Sequence, residues 1–251
     1  MPVHKKNSAM RKPRNRETSK AAILDAAIDE FAQRGYEGAR IDAIAKNTNT
    51  TRAMVYYYFS SKEQLYAAVL ETVYQGIRES EKTLDLEHIE AEEAIRRLVA
   101  FTFDYYQDNP NFVKIVVAEN QAGGRAIRKM ARMQRINRSI IQVLGDVLQR
   151  GARRGTLRRG LDAVDVHMLI ASLGWFQIAN RYSFGVLFNR DFAAPAIKAR
   201  HKALIVDAIM RFVTIDHQLQ TAVPRANSDG KTRADLARVQ RDSTNRLSRS
   251  S

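Results

Sequence analysis

Residues 41 to 62, Ile-Asp-Ala-Ile-Ala-Lys-Asn-Thr-Asn-Thr-Thr-Arg-Ala-Met-Val-Tyr-Tyr-Tyr-Phe-Ser-Ser-Lys, decide how this chain folds. Ile41, Ile44 and Ala45 recur at i, i+3 and i+4, the spacing that lines one face of a short helix, and Val55 and Phe59 repeat at i+4 on the segment that follows. The two short helices therefore share a small core. Between them, Asn47-Thr48-Asn49-Thr50 contains Asn49, one of the few non-glycine residues that tolerates the left-handed conformation a tight turn requires. Thr50 or Thr51 can cap the second helix by accepting from one of its free amides. A helix-turn-helix lays its second helix in the major groove of duplex DNA, with its N-terminal residues at the base edges and its flanks on phosphate.

The residue types on that second helix suit the task. Thr51, Arg52, Ala53, Tyr56 and Tyr57 lie on the side away from Val55 and Phe59. An arginine offers a bidentate fork to guanine O6 and N7, and Thr and Ala methyls suit the thymine methyl. The hydroxyls of Tyr56, Tyr57 and Tyr58 can reach phosphate oxygens, and Lys62 adds charge beside the next helix N-terminus. The alternative, three core aromatics, conflicts with the rotation of about 100° between neighbours on a helix.

Working outward, Ser19 to Arg34 reads as a first helix, with Leu24, Ala27, Ile28 and Phe31 on its inner face, Ser19 as cap and Gly35 as terminator. Residues 19 to 66 together are identified as resembling the DNA-binding domain of the TetR family of transcriptional regulators. By that resemblance Tyr56, Tyr57 and Lys62 fall at DNA-contacting positions, and Arg52 and Ala53 at base-reading positions. The chain departs from the family pattern at three places. Arg40 stands where a Ser or Thr usually caps the second helix, Asn49 replaces the turn glycine, and Tyr58 replaces a histidine. Arg40 leaves that helix less well capped and adds a possible phosphate contact.

The formal charge is +14 on 251 residues, but the excess sits at the ends. Residues 1 to 20 hold seven Lys and Arg against Glu17, and residues 217 to 251 hold seven against three aspartates, which leaves +4 for the middle of the chain. Both ends are poor in large apolar residues and are expected to be disordered, as a basic arm over 1–18 and a basic tail over 217–251. Such an arm either follows the minor groove or phosphates of bound DNA or serves only solubility. The chain has no cysteine, which fits a reducing cytoplasm. No apolar run approaches the roughly 20 residues of a membrane span, and no apolar segment follows the basic N-terminal stretch, so a cytoplasmic protein is expected.

The remaining periodicity is helical, and the expected fold is all-α: the three-helix DNA-binding domain at 19–66, then a helical ligand-binding and dimerisation domain at 67–216. A helix from about Lys62 carries Leu65, Val69, Val73 and Ile77, and others are expected at 90–107, 111–121, 125–150, 162–188 and 195–216. The segment from Leu169 to Phe188 is apolar on more than one face, which favours a dimer interface over a simple core helix. By the family resemblance the last two helices form that interface, with Phe176, Tyr182, Phe184, Ile205, Ile209 and Phe212 as candidates. The preceding helices would enclose an effector cavity. Candidate lining residues are Tyr74, Phe101, Tyr105, Asn120, Asn137, His167, Trp175 and Gln177, with Tyr106, Phe112 and Met133 nearby. Arg125, Arg128, Arg132 and Arg135, spaced 3, 4 and 3 apart, predict a basic stripe on one helix, either a solvated face or an anion-attracting one.

Nothing points to an enzyme, a metal or a cofactor. The five histidines are scattered, no pair has metal-ligand spacing, and there is no phosphate-binding glycine loop or nucleophile elbow. Two classes remain: a dimeric repressor on an inverted-repeat operator, released by a small-molecule effector, and an effector-independent DNA-bound adaptor or nucleoid protein of the same fold.

Overall fold

A computed structural model describes residues 16–215, with side chains from residue 19 onward. The expected tail lies outside the described residues, as does the arm except for its last three residues. Those three are helical: α1 spans Arg16–Gly38, so Ser19 sits inside the helix rather than capping it. Its buried row is Ile23, Ala27 and Phe31, each at most 1% exposed, while Leu24 and Ile28 flank the row half-buried. Gly35, at φ +64°, ends the regular helix as expected, and a last turn runs on to Gly38.

Two short helices follow, α2 (Ile41–Asn47) and α3 (Arg52–Phe59), and then the long α4 (Lys62–Lys82). Leu65, Tyr66, Val69, Leu70, Val73 and Ile77 form the inner row of α4, and the Ser61 hydroxyl caps it by accepting from the Gln64 amide at 3.1 Å. Helix α5 (Ala91–Asp108) buries Ile95, Leu98, Val99 and Phe103. Pro110 opens α6 (Pro110–Gln121), where the missing amide costs no helical hydrogen bond.

The single helix expected at 125–150 is broken. Gly123 and Gly124, at φ +72° and +68°, turn the chain, and a 3₁₀ turn at Ile127–Lys129 precedes α7 (Ala131–Arg154). The cause is Glu119, whose Oε1 accepts from the Ala126 and Ile127 amides at 2.7 and 3.0 Å and holds them out of a helix. At its other end α7 runs past the expected stop and through Gly151. A Cβ there would stand 2.4 Å from the Leu157 side chain, so only glycine lets the chain fold back over the helix. Gly155, in the left-handed conformation, terminates α7.

Asp162 caps α8 (Ala163–Leu187) by accepting from the Val164 and Asp165 amides. Helix α9 (Pro195–Val213) stops three residues short of expectation, because Thr214 is extended and bridges to Leu157, with the Arg158 amide donating to the Val213 carbonyl at 2.8 Å. That isolated bridge is the only β-pairing among the described residues, and none of their helices is long and apolar enough to cross a membrane.

Two apolar cores result. The first runs without interruption from Ile23, Phe31, Ile44, Val55 and Phe59 through the inner row of α4 to Phe112 and Ile115 on α6 and Ile178 on α8. The second joins α5, α7, α8 and α9 through Ile95, Leu144, Val147, Val166, Ile209 and Val213. Ile209, expected at a dimer interface, is therefore a core residue of its own chain at 2% exposure, and Phe212 packs half-buried on the same core.

Candidate nucleic-acid interface and effector pocket

The α2–turn–α3 unit is closed by its own hydrogen bonds. Asn49 takes the left-handed conformation at φ +52°, with its amide on the Lys46 carbonyl and the Thr50 amide on the Ala45 carbonyl, so the last carbonyls of α2 are satisfied. Thr51 rather than Thr50 caps α3, accepting from the Met54 amide at 3.3 Å. Arg40 precedes α2 with no side-chain cap, and its own amide donates to the buried Glu30 carboxylate at 2.9 Å. With Val55 at 1% and Phe59 at 5% exposure facing inward, the rotation of α3 is fixed.

That rotation turns Thr51, Arg52, Ala53 and Tyr57 to solvent, with Thr50, Tyr56 and Tyr58 half-buried beside them. Arg52 is held loosely: one guanidinium nitrogen donates to the Tyr56 hydroxyl at 3.5 Å, another lies 3.7 Å from Asp42, and the group stacks over the Tyr56 ring. Exposed contacts of this kind contribute little and yield readily to a guanine edge. The Tyr57 ring meets Tyr58 edge-on and is 60% exposed, leaving it accessible to phosphate. Lys62 donates to the Glu37 carbonyl at 3.2 Å and lies over the Tyr36 ring, so its ammonium is positioned at the end of α1 with donors to spare. Met54, omitted from the sequence-based candidates, is also exposed on α3. An apolar residue three positions before Tyr57 gave no signal for a polar site.

In the C-terminal helices the expected effector residues divide. Tyr74, Tyr105 and His167 gather around a charge on α4, the buried guanidinium of Arg78, with Tyr106 beside them. Phe101 packs on Tyr105, and Trp175 packs on the first core. Asn120 is exposed and bonds back to the Val116 carbonyl, and Asn137 bonds to the Met133 carbonyl, both within their own helices. Gln177 faces elsewhere, meeting Gln107 and the Phe192 carbonyl. None of Asn120, Asn137 and Gln177 lines the pocket at Arg78 and Glu81.

Sequence reasoning missed the centre of that cluster. Arg78 and Glu81 are 7% and 6% exposed and pair through Arg78 Nη1 and Glu81 Oε2 at 3.0 Å, yet no hydrogen bond reaches Arg78 Nε, Glu81 Oε1 or the buried Nδ1 of His167. Burial pushes the Glu81 carboxyl up to about 7 despite the opposing attraction of Arg78, and burial, with Arg78 adding to it, pulls His167 down to about 4. Burial likewise raises Tyr74, Tyr105 and Tyr106. Arg78 and Glu81 also line a pocket of about 250 Å³ with Leu86, Ser139, Ile140 and Val143. A signal was present: Glu81 continues the row Val73–Ile77 at i+4, where an apolar residue belongs.

The basic stripe is not one helical face. Arg125 lies in the loop, Arg128 in the 3₁₀ turn, and only Arg132 and Arg135 on α7. Arg125 stands 3.8 Å from Glu37, Lys129 2.7 Å from Glu63 and Arg132 2.7 Å from Glu71, so this region is tied to the end of α1 and to α4. Lys129 holds the Glu63 carboxyl below its ordinary range.

A capped, outward-facing recognition helix on a closed helix-turn-helix, followed by a larger helical body, defines a DNA-binding transcriptional regulator. The family model for bacterial regulatory proteins of the tetR family matches residues 23–69, and the tetracyclin repressor-like C-terminal domain matches residues 92–209. The chain is 34% identical over 189 residues to the transcriptional repressor NicS of Pseudomonas putida, covering 75% of this chain and 89% of that protein. It is 30% identical over 165 residues to the transcriptional repressor SCO4008 of Streptomyces coelicolor, covering 64% and 80%. The ketosteroid transcriptional regulator KstR2 of Mycobacterium tuberculosis shares the fold, with a TM-score of 0.59, at 19% identity over 82% of this chain and 98% of that one. The chain belongs to the TetR family of transcriptional regulators.

Proposed function

We propose that a homodimer of this chain binds an inverted-repeat operator, represses transcription there, and is released by a small molecule that enters the pocket at Arg78 and Glu81. The observation that carries the reading is the outward set Thr51, Arg52, Ala53 and Tyr57 on a helix whose rotation is fixed by Val55 and Phe59. Arg52 reads a base, while Tyr56, Tyr57, Tyr58, Lys62 and Arg40 position the helix on phosphate. Repression is the activity named for NicS and SCO4008, and it supports the same mode here.

The dimer is supported by the apolar surface of α8 and α9. Phe176, Tyr182, Val186, Leu187, Phe188 and Leu204 are 49% to 84% exposed, a concentration that water disfavours and a second copy would cover. Phe184 and Ile205 line a groove within the same face. Two copies would set two α3 helices about 34 Å apart, the repeat of a palindrome on one side of the duplex. Release needs an effector that prefers a different spacing of those helices. Helix α4 supplies the link, since it carries Lys62 at the DNA end and Arg78 and Glu81 at the pocket.

Sedimentation equilibrium tests the assembly. Twice the chain mass at micromolar concentration is expected, with two chains on each operator duplex, and Val186→Asp should shift the protein toward monomer with its helical content unchanged. A stable monomer bound one to a duplex would overturn the palindrome reading.

A further inference from the structure

Three carboxylates are buried in the described residues, and two are closed by the protein itself. Glu30 accepts from the Arg40 amide and pairs with Arg34, and Glu119 accepts from two loop amides and the Tyr66 hydroxyl. Glu81 differs. Its neighbour is Arg78, one turn back on the same helix, and each carries a buried polar atom without a hydrogen bond at the wall of the 250 Å³ pocket. Buried donors and acceptors left open in this way cost stability, and a ligand that hydrogen-bonded to them at this wall would recover it.

We propose that this pocket takes a small organic acid as its carboxylate, which replaces Glu81 as the partner of the Arg78 guanidinium while Glu81 takes up one proton from solvent. The proposal rests on the reading of this pocket as the effector site and names the class of effector. Guanidinium and carboxylate match in charge and planar geometry, and a buried guanidinium gains most from a fully hydrogen-bonded partner. Leu86, Ile140 and Val143 supply an apolar wall for the rest of the acid, and the volume equals that of about eight water molecules, which suits a compact aryl or short-chain acid.

Charge balance assigns the proton. Two carboxylates beside one buried guanidinium cannot both stay ionised. Tyr74 on α4, Tyr105 and Tyr106 on α5 and His167 on α8 face the cluster, and Lys82, Asp85 and Glu87 stand at the mouth. The wall from α7 offers only Ser139, Ile140 and Val143. The phenols are already protonated, and a proton on His167 would add a second buried cation. Protonated Glu81 keeps the site neutral and donates a hydrogen bond to the incoming carboxylate.

Benzoate and benzamide, alike in shape and different in charge, test this by calorimetry on the full chain in two buffers of different ionisation enthalpy. Benzoate should bind at least ten-fold tighter than benzamide, take up about one proton at pH 8, and weaken about ten-fold per pH unit above 7. Glu81→Gln, which mimics the protonated side chain, should keep benzoate binding and lose the proton uptake. Equal binding of benzamide, benzoate binding without proton uptake, or failure of both ligands to bind would overturn the proposal. Benzoate binding as expected with the operator complex intact at saturation would leave the acid site standing and overturn its reading as the effector site.

Discussion

The two ends of α4 handle polar chemistry in opposite ways. At the N-terminal end the interior is apolar and closed around Val55, Phe59 and Leu65, and the groups proposed to meet DNA, Arg52 and Tyr57 among them, stand outside it in water. Toward the C-terminal end the charges are inside, on the row where apolar residues belong, and their hydrogen bonds are incomplete. A surface that meets DNA needs only a rigid support, because its polar groups stay in water and in weak exposed contacts that the polyanion can replace. A pocket that senses a small molecule needs buried groups whose free energy changes when the ligand arrives.

The most disruptive test of this contrast is Phe31→Ala. It should cost about 3 to 5 kcal/mol, and because the first core is continuous from α1 to Ile178, circular dichroism and the fluorescence of the lone Trp175 should report one shared transition. Two separated transitions would mean that the two ends are independent. Gly151→Ala acts on the second core alone: its Cβ would meet Leu157, and a loss of about 1 to 3 kcal/mol in thermal or denaturant unfolding is expected with operator affinity unchanged while the protein stays folded.

Arg52→Ala should leave stability unchanged and cost about 1 to 3 kcal/mol of operator binding at one base position. A uniform loss on every sequence would reduce Arg52 to a phosphate contact. Glu81→Gln sharpens the other half of the contrast through pH. The folded chain holds the Glu81 proton up to about pH 7 and the unfolded chain only to its ordinary value of 4.5, so the folded state binds more protons in between and wild-type stability falls across that window as pH rises. His167, held down to about 4, works in the opposite direction between about 4 and 6.5 and is common to both proteins. The difference between their denaturant midpoints should therefore change from pH 4.5 to 7, and parallel curves would contradict the buried carboxyl. Smallest is Lys62→Ala, expected to lower affinity on all duplexes and flatten the salt dependence by about one unit in log-log slope.

The same contrast explains what could be read from the sequence. The recognition unit was legible because its determinants are local: Asn49 for the left-handed turn, Thr51 for the cap, Val55 and Phe59 for rotation. The general helical plan followed from periodicity, and it failed where distant residues intervene. Glu119 holds the amides of Ala126 and Ile127 where a helix was expected from 125, and α7 continues through Gly151, whose missing Cβ makes room for Leu157. Ile209 lies in an apolar helix with two faces, and only the seating of α9 on the second core decides which face is inside. The partners of Lys62, Lys129 and Arg132 lie 25 to 66 residues away or on another helix, beyond any local pattern. Arg78 and Glu81 look like an ordinary surface pair at i, i+3, and only the burial of their helix face reveals otherwise.

Selection of bound duplexes from a random DNA pool at physiological salt tests the central claim most directly. The expected result is an enriched inverted repeat whose half-sites lie about one helical turn apart, with Arg52→Ala relaxing the preference at one position in each half. No enriched sequence, together with binding that disappears as salt rises, would contradict a dimeric operator-reading regulator.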